Sequence, residues 1–133
     1  EVVEQRRRAC RDFTNLVQVT AHAGGQEVVV AGTAIGSEHR ARLVQALGYE
    51  IEIEIEPLMV FIVNADRPGR IGLVGTILGE EGINIATMAV SRNRPGGNAL
   101  MVLTVDTPLT PRAVERLDAD PGFVEVRLIT VDA

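Results

Sequence analysis

The sequence predicts an α+β chain in which a ferredoxin-like βαββαβ unit follows a smaller, mainly β unit. From residue 58 onward, apolar stretches follow one another in the order strand, helix, strand, strand, helix, strand. The stretches before it have mainly strand-like patterns. Pro57 lies between the two patterns, and proline commonly marks such a break. We therefore predict two domains, residues 1–57 and 58–133.

The first unit contains two strand-like stretches, Thr14–His22 and Glu27–Ala34, on either side of Gly24-Gly25. A glycine pair between two apolar runs is typical of a β-hairpin turn, so the stretches are predicted to pair antiparallel. The segment Ser37–Leu47 is ambiguous, because its apolar residues have only partial helical spacing.

Tyr49–Glu56 shows the clearest alternation in the chain. Its isoleucines point to one face of a predicted strand and its glutamates to the other. Aligned carboxylates can perform acid–base chemistry. Four in a row on one strand face are instead typical of a solvated surface.

The second unit has a full set of predicted elements. The strands are Leu58–Asn64, Ile83–Arg92, Asn98–Asp106 and Gly122–Val131, and the helices are Pro68–Glu81 and Pro111–Ala119. Thr110 is the predicted N-cap of the second helix, with Pro111 at its first position. Right-handed crossovers place both helices on one face of the sheet.

Composition excludes several classes of function. The 133 residues are 46% hydrophobic but only 3% aromatic, which indicates an aliphatic core. No apolar run approaches the roughly 20 residues that span a bilayer, so no membrane association is expected. A net charge of -5 disfavours nucleic-acid binding. The one cysteine, Cys10, and the lack of a signal-peptide pattern favour a cytoplasmic location.

The polar turn between the first predicted strand and helix of the second unit is the strongest candidate site. Asn64 and Asp66 lie in this turn, and Asn84 begins the next strand. The three side chains are expected to converge beside a helix N-terminus, which attracts a carboxylate, while Asp66 can pair with an ammonium. A structural alternative remains open, in which Asp66 caps the helix and the asparagines only hydrogen-bond strand ends.

Other candidate sites are weaker. The spacing of Gly69, Gly72, Gly75 and Gly79 does not match a dinucleotide fingerprint and instead favours close packing on the sheet or on a partner. His22 and His39 have no cysteine at metal-ligand spacing, so no metal site is predicted.

A possible anion site comprises His39, Arg40 and Arg42. No catalytic constellation is present, and Cys10 has no nearby histidine.

The second unit resembles the ACT domain family, small βαββαβ modules that bind amino acids at interfaces. The matching residues include Asp66-Arg67-Pro68-Gly69, Gly82-Ile83-Asn84-Ile85, Met88, Ala99-Leu100-Met101 and Asp106. More specifically, the chain resembles the regulatory end of the D-3-phosphoglycerate dehydrogenase family. Gly32-Thr33, Gly36, Arg42-Leu43-Val44 and Gly48-Tyr49 resemble the intervening domain that precedes the ACT domain in longer members. This likeness favours a loop and then a strand over Ser37–Leu47.

The resemblance implies a regulatory fragment that senses L-serine at an interface between two paired ACT domains. By position, Asn64, Asp66 and Asn84 would hold the ligand, with backbone N–H groups between Arg67 and Gly69, around Pro68, facing its carboxylate. The catalytic part and its NAD would lie outside this chain, so the fragment itself is not expected to be an enzyme. Two alternatives remain: part of the small subunit of an iron–sulfur L-serine dehydratase, or a dimerisation module without a ligand.

Overall fold

The structure is a computed structural model that describes residues 2–6, 16–23, 26–35, 40–92 and 97–130. The chain divides into two compact units, residues 1–55 and 56–133. The division lies within two residues of Pro57. Predictions made for Cys10, the Gly24-Gly25 turn and His39 lie outside the described residues.

The N-terminal unit is a five-stranded antiparallel sheet with its strands in chain order. The strands are β1 (Val2–Arg6), β2 (Leu16–Ala23), β3 (Gln26–Ile35), β4 (Arg40–Ala46) and β5 (Tyr49–Glu54). The predicted antiparallel pairing of β2 with β3 is confirmed. The described part of the ambiguous segment, from Arg40 onward, forms β4 and not a helix. It ends in a tight turn at Leu47 and Gly48, whose positive φ angles, 52° and 83°, suit a two-residue hairpin.

The alternation along β5 is also confirmed. Tyr49, Ile51 and Ile53 are buried, while Glu50 and Glu52 are exposed. The row of carboxylates therefore lies on the surface, as its pattern indicates.

The C-terminal unit has the βαββαβ order and a four-stranded antiparallel sheet in the order β7-β8-β6-β9. Its elements are β6 (Leu58–Ala65), α1 (Arg70–Glu80), β7 (Ile85–Arg92), β8 (Asn98–Val105), α2 (Pro111–Asp118) and β9 (Phe123–Thr130). This arrangement is the predicted ferredoxin-like layout.

The core of the C-terminal unit packs one face of the sheet against both helices. Fully buried members are Val60, Ile62, Val74, Leu78, Met101, Leu103, Ala113 and Leu117. Each fully buried Val, Ile, Leu or Met side chain contributes about 1.5–3 kcal/mol to stability. The core therefore holds both helices firmly against the central strands β6 and β8.

Helix α1 begins two residues later than predicted, at Arg70 instead of Pro68. The residue before it, Gly69, has a φ of 87°, a left-handed conformation that cannot belong to a helix. The other end follows the prediction. Gly82 has a φ of 73°, and the Gly82 and Ile83 N–H groups donate to the carbonyls of Gly79 and Leu78. This is a Schellman motif, which terminates the helix.

Candidate functional site

An open pocket of about 410 Å³ lies where β6 passes into α1. It is lined by residues 66–71 and by Arg92. The structure thus brings the predicted turn residues Asp66, Arg67, Pro68 and Gly69 together around one cavity. The cavity carries both signs of charge, because it contains a carboxylate and several guanidinium groups.

Asp66 is held at the pocket wall by its main chain and its side chain. Its N–H donates to the carbonyl of Gly97 at 2.9 Å. Its carboxylate lies 3.4 Å from Nε of Arg92, and its side chain is 20% exposed. Asp66 does not cap α1, because the N-cap position is Gly69 and it has no side-chain cap. The alternative prediction, in which Asp66 caps the helix, is therefore wrong.

The start of α1 presents main-chain donors without a side-chain cap. The first helical hydrogen bond runs from the Leu73 N–H to the carbonyl of Gly69, at 2.9 Å. The N–H groups of residues 70–72 precede that bond and have no acceptor within the helix. They lie next to the predicted donors, the N–H groups of Arg67 and Gly69, which stay a prediction; Pro68 between them has no N–H. This helix end attracts anions.

Asn64 is buried at the end of β6, with 2% of its surface exposed. Its Nδ2 donates to the carbonyl of Ala65 at 2.9 Å. This bond fixes the orientation of the amide, since the flipped form would set two oxygens against each other. Its Oδ1 has no hydrogen-bond partner among the described residues. A buried acceptor without a donor costs about 1–3 kcal/mol. Asn64 is not among the residues that line the pocket, so its role in binding stays a prediction.

Asn84 does not meet Asn64 and Asp66 within one chain. Strand β8 pairs Asn98 with Ala65 at one end and Val105 with Ile85 at the other. These ends are seven residues apart, or about 24 Å along a strand. The predicted convergence is therefore wrong for a single chain. Strands β6 and β7 are parallel, and helix α1 between them returns the chain to the end of the sheet where β6 begins. Asn84 therefore lies at the opposite end from Asp66.

At that opposite end, Asn84 contacts Asp106. Its Nδ2 donates to Oδ2 of Asp106 at 2.8 Å, and the Asp106 N–H donates to the Asn84 carbonyl at 3.2 Å. Asn84 is exposed. It is thus available to another molecule while its orientation is held by Asp106.

Arg70 fixes the first residue of α1 to the turn that follows α2. Its Nη1 donates to Oδ1 of Asp120 at 2.7 Å, and its guanidinium lies 5.5 Å from the ring centroid of Phe123. The Gly122 N–H, and then Arg70, lower the pKa of Asp120. A Cβ at Gly122 would lie 2.3 Å from Nη1 of Arg70, so glycine leaves room for the guanidinium.

Sequence reasoning missed Arg92 and Arg70 as residues of this site. Topology provides the missing signal for Arg92. In a βαβ unit the two strands are parallel, so the C-terminal ends of β6 and β7 lie at the same end of the sheet. Arg70 has no comparable signal, because its partner Asp120 is 50 residues away along the chain.

The remaining predicted sites receive less support. Nε of Arg42 lies 3.2 Å from Oε1 of Glu52, which already balances part of its charge. His39 and the side chain of Arg40 lie outside the described residues, so the anion site stays a prediction.

The described residues contain no cluster of His, Cys, Asp or Glu suited to a metal. In the same part of the chain, no helix is both long and apolar enough to cross a bilayer.

The glycine face of α1 does not pack closely on the sheet. A Cβ added at Gly72, Gly75 or Gly79 would meet nothing within 4 Å. Packing on the sheet was therefore the wrong interpretation of this pattern. Packing against a partner stays a prediction.

Comparison with known families agrees with this fold. Residues 58–122 match the family model of the ACT domain. This part of the chain is an ACT domain. Its polar turn and uncapped first helix are the parts of the ACT domain that form the pocket described above.

The relatives extend over both units. The D-3-phosphoglycerate dehydrogenase of Archaeoglobus fulgidus is 32% identical over 130 residues, covering 96% of this chain and 24% of that protein. The Bacillus subtilis protein of the same name is 42% identical over 117 residues, covering 88% and 22%. That of Methanocaldococcus jannaschii is 31% identical over 119 residues, covering 90% and 22%. The chain thus spans about a quarter of the length of these relatives.

Proposed function

We propose that the ACT domain binds a small amino acid, L-serine, and pairs with a second copy as the regulatory part of a D-3-phosphoglycerate dehydrogenase. The observation that carries the proposal is the pocket at the end of β6. There Asp66 offers a partner for an ammonium, and the uncapped start of α1 offers donors to a carboxylate. The names of the relatives supply the enzyme class.

The parent enzyme would be an NAD-dependent dehydrogenase of serine biosynthesis that L-serine inhibits by feedback. Its NAD would be bound outside this chain. Residues 1–57 would belong to its intervening domain. The relatives named above favour this parent over a serine dehydratase. On its own, the chain is expected not to reduce NAD with 3-phosphoglycerate, because it has no dinucleotide fingerprint.

Pairing through β7 would complete the site. β7 is an edge strand of the sheet, and edge strands expose unpaired main-chain groups. Two-fold antiparallel pairing with a second copy would set Ile85 opposite Arg92. Asn84 of one copy would then approach the Asp66 pocket of the other. The apolar side chains of Ile71 and Val90 on this side, 50% and 46% exposed, would be covered.

The first experiment measures L-serine binding by calorimetry and oligomeric state by sedimentation. We expect at least a dimer at micromolar concentration and saturable serine binding. Asp66→Ala should weaken binding by about ten- to hundredfold, since a charge-assisted hydrogen bond is lost. Asp118→Ala, a change at an exposed carboxylate on α2, is the matched control. A monomeric chain that binds no amino acid would refute the proposal.

A mixing experiment tests whether the site is shared between copies. Asp66→Ala and Asn84→Ala chains should each bind serine poorly. After unfolding and refolding together, mixed dimers should recover one normal site, because one copy keeps Asp66 and the other keeps Asn84. A site built within one chain would stay defective in every mixture.

A further inference from the structure

The pocket contains an ion pair that the sequence did not reveal. Nε of Arg92 lies 3.4 Å from Oδ2 of Asp66. The Arg92 side chain is 61% exposed, while that of Asp66 is 20% exposed. The carboxylate is therefore fixed in the wall, and the guanidinium is the part of the pair that can move.

The pair has the charges that an α-amino acid needs. Asp66 can accept from an ammonium, and a guanidinium can donate to a carboxylate through two parallel hydrogen bonds. In the structure the two groups balance each other's charge. An amino acid placed between them would replace one ion pair with two.

Arg92 is better suited to this role than the other arginines of the pocket. Arg70 is bonded to Asp120 at 2.7 Å and lies over Phe123, so its charge and position are committed elsewhere. Arg67 is exposed and makes no ion pair among the described residues. Arg92 alone of the three is already held next to Asp66.

We propose that Arg92 binds the α-carboxylate of the ligand and that the Asp66–Arg92 ion pair opens to admit it. This inference rests on the proposed function and adds a requirement to it. The ligand must carry both an ammonium and a free carboxylate. The uncapped start of α1, on the same pocket, assists by attracting the same carboxylate.

The test combines a change in the protein with a change in the ligand. Calorimetry would measure L-serine and L-serinamide, which lacks the carboxylate, on wild-type protein and on Arg92→Gln. Wild type should prefer serine by about ten- to hundredfold, as expected for a charge-assisted contact. Arg92→Gln should lose most of its serine affinity and most of this preference. Arg92→Lys should recover part of both.

Arg112→Gln is the matched control. Arg112 is also an exposed arginine with one ion pair, its Nε lying 3.3 Å from Oε1 of Glu81, but it is on α2. It should bind both ligands as wild type does. Melting temperatures of all variants should agree, because neither arginine is buried.

Two outcomes would overturn the inference while leaving the proposed function intact. One is serine binding by Arg92→Gln that equals or exceeds that of wild type. The other is an unchanged preference for serine over serinamide in that variant. Wild-type protein that binds no amino acid would instead overturn the proposed function, and this inference with it.

Discussion

The two helices of the ACT domain begin in opposite ways. At α2, Oγ1 of Thr110 accepts a hydrogen bond from the Ala113 N–H at 3.1 Å, and Pro111 occupies the first helical position. At α1, the N-cap is Gly69, which offers no side chain. Both helices are nevertheless anchored by fully buried side chains. The difference therefore concerns the use of the helix start and not the stability of the helix.

This contrast separates a structural helix from a binding helix. At α2, Thr110 accepts from the Ala113 N–H and Pro111 has no N–H, so fewer main-chain donors are left for a ligand. The donors of α1 stay open toward the pocket. The far end of α1 is fixed, because Arg116 of α2 donates to both Glu80 and Glu81, which raise its pKa. Both ends of α1 are thus held by side-chain contacts, since Arg70 binds Asp120 at the start, and only the first main-chain N–H groups are left for a ligand.

The largest effect is expected from Gly69→Ala. Alanine at a φ of 87° costs about 1–2 kcal/mol, although its Cβ would meet nothing within 4 Å. Thermal unfolding should show a lower melting temperature, and serine affinity should fall because the turn is displaced. Gly69→Asn, which tolerates this conformation, should restore much of both. Equal stability of the alanine variant and wild type would show that the turn relaxes freely.

Thr110→Ala is expected to remove the cap of α2 at a cost of about 1 kcal/mol. Serine affinity should not change, because this helix end does not reach the pocket. Thr110→Ser keeps the acceptor and should retain most of the stability in the same unfolding measurement. Weaker serine binding by the alanine variant would mean that the two helix starts are not independent.

Gly75→Ala should have the smallest effect, and in the opposite direction. Alanine is favoured over glycine in a helix by about 0.5–1 kcal/mol, and its Cβ has open space here. The melting temperature should rise. If the glycine face of α1 packs on a second copy, sedimentation over a concentration series should show a weaker dimer.

Thr76→Ala is the control for this prediction, since it raises helix propensity at the next position, which is exposed. It should leave the dimer unchanged. If the Gly75→Ala variant dimerises as well as wild type, the glycine face of α1 does not contact the second copy.

Local patterns were sufficient for most of the elements. The alternation in β5, the cap at Thr110 and the Schellman glycine at Gly82 each involve residues within one turn or one strand. Such interactions depend on neighbouring residues and can be predicted from them. The start of α1 was misplaced because proline at position 68 fits a first helical turn as well as the turn before it.

The candidate site was predicted only in part, and the reason is geometric. By itself the sequence determined the βαββαβ order, the polar turn and the carboxylate of Asp66, since these follow from residues close together in the chain, and its resemblance to a known family indicated the ACT domain. Only the tertiary structure decided which distant residues share the pocket. The parallel course of β6 and β7 brings Arg92 to Asp66 and carries Asn84 to the other end of the sheet. Contacts of this kind depend on strand direction and register, which no local pattern encodes.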